Sequence, residues 1–322
     1  MSGQEGLVGD VGGTHARFAL ARLEAGRVHV THAKVLSAHD YRSGEAALAA
    51  YCGHLPDRAP KQAVIAAAGP IENARVDFTN NPGWGFSEAE LKRGGGFSAA
   101  RLINDFTAQA LAIPQLGSND TRLVGPRRRT PAHATAVIMG PGTGFGAAAL
   151  ADDGRATAVV TGEGGHASFA PEDDTEIAIL ARLAKAYGRV SIEHLLSGPG
   201  LLNLYRTLAE LGGEAAPLDQ PDAITRAGLA GDRLARRALD RFCAILGSVA
   251  GNLALTLGAR GGVYVSGGIA PAILEVLKAS DFRRRFEAKD RMSAYLAAIP
   301  TRVVVQPHVA LIGAATLLGT LR

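Results

Sequence analysis

No Gly-Lys pair occurs anywhere in the 322 residues, so the P-loop, which reaches nucleotide phosphates with a lysine, is excluded. Cysteine is nearly absent. Cys52 and Cys243 are the only two, neither with a nearby partner in sequence, which rules out a disulfide scaffold and points to reduced thiols in a cytoplasmic protein. The segment Met1-Ser2-Gly3-Gln4-Glu5-Gly6 has no basic n-region and no apolar h-region, so no secretory signal is expected. Long apolar runs are missing too. The longest, Phe242 to Leu257, is short for a bilayer and contains Ser248 and Asn252. It reads as a core helix in which Gly247-x-x-x-Gly251 permits close approach, and no membrane role is expected. Net charge is only +4. The two basic clusters, Arg127-Arg128-Arg129 and Arg283-Arg284-Arg285, have no interleaved aromatics to stack bases, so both read as solvated faces and no nucleic-acid partner is expected.

What is present is apolar residues in two alternating periods. A hydrophobic content of 47% is ample for two buried cores. Strand-like runs at Val28 to Val35, Ala63 to Ala67, Arg101 to Ile103, Val137 to Met139 and Val263 to Val265 alternate with helical ones at Ser43 to Tyr51, Thr107 to Ile113, Thr175 to Tyr187, Ile192 to Leu211 and Arg233 to Leu257. This alternation predicts an α/β fold. The polar stretch Gln115 to Ala132, rich in Pro, Gly and Arg, is the expected boundary between two lobes. A strand at Arg302 to Gln306 and a helix at Val309 to Leu321 follow and would return to the first lobe.

Two glycine-rich turns follow short apolar runs about 130 residues apart: Gly9-Asp10-Val11-Gly12-Gly13-Thr14 and Gly140-Pro141-Gly142-Thr143-Gly144. At that offset Asp10 aligns with Gly140, Gly12 with Gly142, and Ala19-Leu20-Ala21 with Ala149-Leu150-Ala151. Consecutive backbone N–H groups in such turns form a concave anion site, and glycine lets the ligand approach. One hairpin used twice suits a polyphosphate clamp. Asp10 would repel a bare phosphate but suits a metal-bound water, so a magnesium nucleotide is the natural ligand. Gly142-x-Gly144-x-x-Ala147 matches the dinucleotide fingerprint in outline, with Glu163 at about the ribose-partner distance. That fingerprint should open a long helix, whereas Phe145 to Ala151, Asp152-Asp153-Gly154 and Ala156 to Thr161 read as strand, turn, strand.

At Leu102-Ile103-Asn104-Asp105-Phe106-Thr107 an apolar strand ends in two polar residues before a helix, where open α/β sheets place their sites. One of the pair is expected to cap the helix. The other reading makes Asp105 a general base for an alcohol attacking a γ-phosphoryl group. Gly162-Glu163-Gly164-Gly165-His166, together with Glu193 in Ser191-Ile192-Glu193, could line a pocket for a polyol. A zinc reading of Glu163, His166 and Glu193 lacks the close His or Cys spacing of such sites. Asn81-Pro82-Gly83-Trp84 reads as a loop whose single tryptophan covers a ligand or plugs a gap. Val265-Ser266-Gly267-Gly268-Ile269 reads as strand, tight turn and helix start, where an adenine could lie flat on glycine backbone.

Taken in order, Asp10-Val11-Gly12-Gly13-Thr14, Asn104-Asp105-Phe106-Thr107-Ala108, Gly140-x-Gly142-Thr143-Gly144, Gly162-Glu163-Gly164-Gly165-His166, Ser197-Gly198-Pro199-Gly200-Leu201-x-Asn203-Leu204-Tyr205 and Gly267-Gly268-Ile269 resemble the motifs of bacterial glucokinases of the hexokinase-like, actin-related superfamily. The resemblance covers nearly the whole chain. It implies a two-lobed ribonuclease-H-like fold with an interlobe active-site cleft, a small α/β lobe of residues 1–114 plus 302–322, and a large α/β lobe of residues 115–301. It also implies ATP-dependent phosphorylation of glucose at the 6-hydroxyl, lobe closure on sugar binding and a cytoplasmic homodimer.

By position, the resemblance assigns Asp105 as catalytic base, and Asn104, Asp105, Glu163, His166 and Glu193 to the sugar. It assigns Gly9, Asp10, Val11, Gly12, Gly13 and Thr14 to the nucleotide phosphates with Asp10 near Mg2+, Gly142, Thr143 and Gly144 to the opposite phosphate turn, and Gly267 and Gly268 to the nucleotide as well. One departure is visible: His15 stands where many relatives carry Asn. The related repressor and sugar-kinase family has a cysteine-rich zinc site after its Gly-His element, whereas this chain has Ala167-Ser168-Phe169-Ala170. Competing readings are a kinase for a related hexose, a non-catalytic sugar-sensing regulator, and an actin-like or chaperone-type ATPase. A DNA-acting regulator would carry a helix-turn-helix extension, and about six residues precede the first strand.

Overall fold

Leu7, Val8 and Val11 are fully buried although they point to both faces of one strand, which is what a central strand requires. In the computed structural model, which describes residues 4–55, 60–78, 81 and 84–321, that strand is β1 (Gln4–Val11). The chain divides into two compact units, Met1–Gly117 with Gln306–Arg322, and Ser118–Val305.

In the first unit β1 is followed by β2 (His15–Glu24), β3 (Arg27–Ser37), α1 (Gly44–Cys52), β4 (Gln62–Ala67), the small hairpin β5 (Arg75–Asp77) and β6 (Gly85–Ser87), α2 (Glu88–Gly95), β7 (Ala99–Asn104) and α3 (Asp105–Ala112). The main sheet has the order β3-β2-β1-β4-β7, with β1, β4 and β7 parallel and β2 and β3 antiparallel. One face packs on α1 and α2 through Phe18, Leu48, Tyr51, Phe86 and Leu91. Trp84 belongs to this core: it is 3% exposed and its Nε1–H donates to the Tyr41 carbonyl at 3.1 Å. The ring therefore plugs a gap between loops; Pro82 and Gly83 lie outside the described residues.

The second unit contains β8 (Thr121–Val124), β9 (Ala136–Pro141), β10 (Phe145–Asp152), β11 (Thr157–Gly162), α4 (Asp174–Tyr187), α5 (Gly198–Gly212), α6 (Pro221–Leu229) and α7 (Arg233–Leu257). It continues with β12 (Gly262–Val265), α8 (Ile269–Ala272), α9 (Leu274–Ala279), α10 (Phe282–Glu287), α11 (Ser293–Ala297) and β13 (Thr301–Val304), after which α12 (Val309–Ala315) returns to the first unit. The sheet order is β11-β10-β9-β12-β13-β8. Its first five strands repeat β3-β2-β1-β4-β7 in direction and neighbour order, so the duplication seen in two turns extends to a whole sheet.

Several expectations change. The strand expected to rejoin the first lobe, β13, pairs with β12 and β8 in the second sheet, and only the helix after it packs against α3, β1 and β4. The divisions accordingly fall at 117/118 and 305/306 instead of 114/115 and 301/302. The stretch Gln115 to Ala132 is not all linker, because Thr121 and Val124 are buried and β8 forms an edge strand on β13. The helical run Ile192 to Leu211 breaks at Ser197, whose hydroxyl accepts from Gly200 N–H at 2.9 Å and caps α5.

The long helix α7 is 25 residues, long and apolar enough by length and composition to cross a membrane, with 72% of its most apolar window buried within the fold. Gly247 and Gly251 let it approach α10: a side chain at either position would overlap or crowd the carbonyls of Phe282 and Phe286. The Arg283–Arg285 run on α10 is not a solvated face. Successive helical residues point about 100° apart, so Arg284 faces solvent while Arg285 is buried among Glu172, Asp173 and Glu176 and Arg283 turns toward Glu287 and the α11 carbonyls.

Candidate active site

The polar residues singled out in the first unit lie at the carboxyl ends of two of its three parallel strands, β1 and β7. In register, Asp10 of β1 faces Ala66 of β4, and Ala67 faces Asn104 of β7. Two inter-strand spacings of about 4.8 Å separate β1 from β7, so Asp10 and Asn104 flank one sheet edge. Ala68 N–H donates to the Val11 carbonyl at 2.9 Å, which holds the β4 end against the β1–β2 turn.

At the β7–α3 junction the capping is done by Asn104. Its Oδ1 accepts from Phe106 N–H at 2.9 Å and Thr107 N–H at 3.1 Å, and its Nδ2 donates to the Gly69 carbonyl at 3.4 Å. Asp105 occupies the first helical position, half-buried, with Oδ1 accepting from Phe106 N–H at 2.9 Å. Asn104 thus supplies the larger part of the cap, and Asp105 shares only the Phe106 N–H. The amide dipoles of α3 also favour an anion there.

Asp10 is opposed across the hairpin by Arg17, whose Nη1–H donates to Asp10 Oδ2 at 3.0 Å. Burial pushes the Asp10 carboxyl above its ordinary value, while the Arg17 guanidinium and the His308 charge pull the other way. Sequence reading missed Arg17. The signal was available, since pairing Val11 with Ala16 sets Asp10 opposite Arg17 in any tight hairpin. Gly9 and Val11 are buried inside β1. Gly9 is fitted against Ile65 and Phe18, so its lack of a side chain serves the sheet. Gly12, Gly13 and Thr14 form the accessible part of the turn, and Gly12 N–H donates to the His15 carbonyl at 2.9 Å. The His15 imidazole is exposed and bonds Thr14 Oγ1 at 3.1 Å, so the backbone turn forms without an asparagine at that position.

In the second unit the Gly142–Gly144 turn is fastened on several sides. Gly198 N–H donates to the Gly142 carbonyl at 2.9 Å, Gly142 N–H to the Gly144 carbonyl at 2.8 Å, and Phe145 N–H to Glu193 Oε2 at 2.7 Å. A side chain on Gly144 would overlap that Glu193 oxygen, and one on Gly165 would overlap the Phe145 carbonyl. Around Gly142 and Gly268, by contrast, nothing among the described residues lies within 4 Å of where a Cβ would stand. These two backbones are open to a ligand. Gly140 and Gly267 have a different role: Gly140 packs on the Ser266 carbonyl, and Gly267, at φ +85°, packs on Pro141. The expected phosphate and adenine turns are thus in direct contact.

Glu163 precedes, and His166 ends, a 3-10 turn, Gly164–His166, that is bonded to the next polar turn, Ile192–His194. Ile192 N–H donates to the Ala167 carbonyl at 2.9 Å and Phe169 N–H to the Val190 carbonyl at 3.0 Å. The Arg189 guanidinium donates to the His166 carbonyl at 2.9 Å. The Glu193 turn is further held by Ser197 Oγ–H, which donates to the Glu193 carbonyl at 2.8 Å, and by stacking of His194 on Tyr187 with ring centroids 4.2 Å apart. Glu163, His166 and Glu193 therefore sit on adjoining turns. The side chains of Glu163 and His166 are exposed, with no hydrogen-bond or ion-pair partner among the described residues. No group of three or more His, Cys, Asp or Glu residues placed to hold a metal occurs among the described residues.

Magnesium bound with a nucleotide needs only one or two carboxylates, the phosphates and water completing its shell. Asp10 fits that requirement: it is a half-buried carboxylate beside an open glycine turn, with Oδ1 having no hydrogen-bond partner among the described residues.

A sheet of order 3-2-1-4-5 used twice, with each glycine turn joining the first two strands of its copy, defines the ribonuclease-H-like, actin/hexokinase-type sugar-kinase fold. A family model described as Glucokinase matches residues 7–321. A glucokinase of Caulobacter sp. (strain K31) is 51% identical over 310 residues, covering 96% of this chain and 94% of its own length. A crystal structure of glucokinase from an Antarctic psychrotroph superposes with a TM-score of 0.88 at 37% identity, covering 98% of this chain and 99% of that one. At 19% identity and a TM-score of 0.77, covering 99% of this chain and 94% of its own, a Balamuthia mandrillaris glucokinase solved with glucose shares the fold. The chain belongs to the glucokinase family, and it is a small-molecule phosphotransferase.

Proposed function

We propose that the protein transfers the γ-phosphoryl group of ATP to the 6-hydroxyl of glucose, giving glucose 6-phosphate and ADP, with Asp105 as general base. The observation that carries the reading is the division of labour at the β7–α3 junction. Asn104 accepts from the Phe106 and Thr107 N–H groups and so supplies the helix cap, while the Asp105 carboxylate beside it shares the Phe106 N–H at the carboxyl end of the strand, where open α/β sheets place their sites.

As the sugar O6 attacks phosphorus, its proton passes to an Asp105 carboxylate oxygen while the bond to the β-phosphate oxygen breaks and ADP leaves. By the family resemblance, Asn104, Glu163, His166 and Glu193 would hold the remaining hydroxyls. The turns Gly12 to Thr14 and Gly142 to Gly144, whose Gly12 and Gly142 N–H groups are already bonded to the His15 and Gly144 carbonyls, cradle the phosphates through their remaining N–H groups, and Gly268 receives the adenine. Asp10 would hold the Mg2+ that accompanies the nucleotide, neutralising phosphate charge. The reading extends to a cytoplasmic homodimer; the free thiols Cys52 and Cys243 suit a reducing compartment.

ATP consumption measured with and without glucose tests the proposal. Stimulation by glucose supports the kinase, equal hydrolysis selects an ATPase, and no hydrolysis selects a sensor. A hexose panel in the same coupled assay separates glucose from related acceptors. Asp105→Ala should collapse turnover while glucose still binds; near-normal turnover would remove Asp105 from the mechanism.

A further inference from the structure

A cavity of about 450 Å³ opens in the second unit among Arg129, Pro131, Arg260, Tyr295, Ala298 and Ile299. A neighbouring space of similar size shares Arg129 and adds Arg128 and Ala297. The lining belongs to one edge of the sheet. Pro131 precedes β9, Arg260 precedes β12, and Ala298 and Ile299 precede β13, three strands that run parallel. The turns at Gly142 and Gly267 follow the opposite ends of β9 and β12, so the length of a strand, about 13 Å for four residues, separates this cavity from them.

Its charge is uncompensated. No carboxylate among the described residues lines it. Arg129 and Arg260 are exposed and have no hydrogen-bond or ion-pair partner for their guanidinium groups among the described residues. Nearby, Arg128 Nε–H is committed to the Ala297 carbonyl at 2.8 Å, and Arg283 to Glu287 and the carbonyls of Ala297 and Ile299. The rest of the wall is apolar, with the Tyr295 ring as its one flat surface. Two free guanidinium groups call for a dianion, and guanidinium pairs with phosphate in bidentate geometry. An apolar wall with an aromatic ring calls for a ligand body that is flat or apolar. We propose that this cavity binds a small organic phosphomonoester, its phosphate on Arg129 and Arg260 and its body against Tyr295. The sequence hid this site because Arg260 and Tyr295 stand more than 130 residues beyond Arg129.

The test is calorimetric titration of the full-length protein with phenyl phosphate while saturating glucose and a non-hydrolysable ATP analogue occupy the catalytic site. One binding event is expected to persist under those conditions. Arg129→Gln and Arg260→Gln should each weaken it tenfold or more, and Tyr295→Ala should erase the preference for phenyl phosphate over inorganic phosphate. Benzoate, carrying one charge, should bind several-fold more weakly. Both arginines are exposed, so the double variant should keep the parent's melting temperature and its kcat and KM for glucose. Loss of binding on saturating the catalytic site, or unaltered binding in the double variant, would overturn the proposal. Because the readout is binding, its result is independent of whether the chain phosphorylates glucose.

Discussion

The backbone N–H of Phe145 donates to Glu193 Oε2 at 2.7 Å, so one carboxylate oxygen fastens the glycine turn expected to grip phosphate. The other oxygen has no protein partner among the described residues and is available to a sugar hydroxyl. On the proposed function, this single side chain would couple acceptor and donor binding. Glu193→Ala should raise the KM for glucose and for ATP together and lower kcat/KM roughly 10- to 150-fold, the loss expected for a hydrogen bond to a charged group worth about 1.5–3 kcal/mol. Gly144→Ala, whose Cβ would overlap Glu193 Oε2, should reproduce the defect with the carboxylate still present. Steady-state kinetics on both variants checks this; a change confined to the glucose KM would show that the clasp does not act on the nucleotide.

The glycines of the duplicated turns should separate into two kinds. Gly142→Ala meets nothing within 4 Å, so the fold should tolerate it, while a methyl group on the phosphate face should raise the KM for ATP. Gly140→Ala and Gly267→Ala place a Cβ into the Ser266 and Pro141 carbonyls, and Gly267 also has φ +85°. Each should cost about 1–3 kcal/mol of stability through overpacking. Urea denaturation and ATP kinetics on the three variants check the assignment. Normal ATP kinetics in a fully stable Gly142→Ala protein would count against a phosphate there.

The network of Glu172, Asp173, Glu176, Arg241, Arg285 and Lys289 pins α4 to α7 and α10. Glu176 is fully buried, with Arg285 Nη2 at 2.8 Å and Arg241 Nη1 at 2.9 Å. Arg285→Met leaves buried carboxylates without this partner and should destabilise by about 3–5 kcal/mol, whereas shape-conserving apolar replacement of both Arg285 and Glu176 should recover much of the loss. Equilibrium denaturation of the single and double variants is the measurement; additive losses would show that the two residues do not act as a pair.

The same network sets an acid limit. Burial pushes Glu172 upward, but the Lys289 hydrogen bond and the Lys289 and Arg285 charges carry it below 4.5. Burial likewise opposes ionisation of Asp173, and Arg241, the Glu176 N–H and Arg285 bring it below 3.8. Both groups bind protons more weakly in the folded chain than in the unfolded one. Their stabilisation is therefore complete above the ordinary carboxylate range and is lost as pH falls into and below it. Melting temperature followed from pH 7 downward should begin to drop near those values. In an Asp173→Asn variant the drop should be shallower and start from a lower melting temperature.

The duplication was legible in the letters because a tight anion-binding turn needs glycine at set places, and those letters recur near an offset of 130. The alignment after the turn was not. The ladder pairs Val8 with Ala19 and Ile138 with Ala148, so Ala19 corresponds to Ala148 and not Ala149, because the second turn is one residue shorter. Sequence periodicity cannot register a shortened turn that keeps its strands apolar on both sides. The break between Ser191 and Ser197 was obscured similarly, by helix-forming residues on both sides of a cap.

Local chemistry determined the strands, the glycine turns, the Asn104-Asp105 junction and the family to which they belong, since each depends on a few adjacent residues and their backbone preferences. Tertiary structure alone decided which of the pair caps α3, where β13 pairs, that Arg285 is buried and Arg284 is not, and that Arg129 meets Arg260 and Tyr295 across one cavity. Those outcomes depend on contacts between residues remote in the chain, whose free energies belong to the packed arrangement and to none of its segments singly.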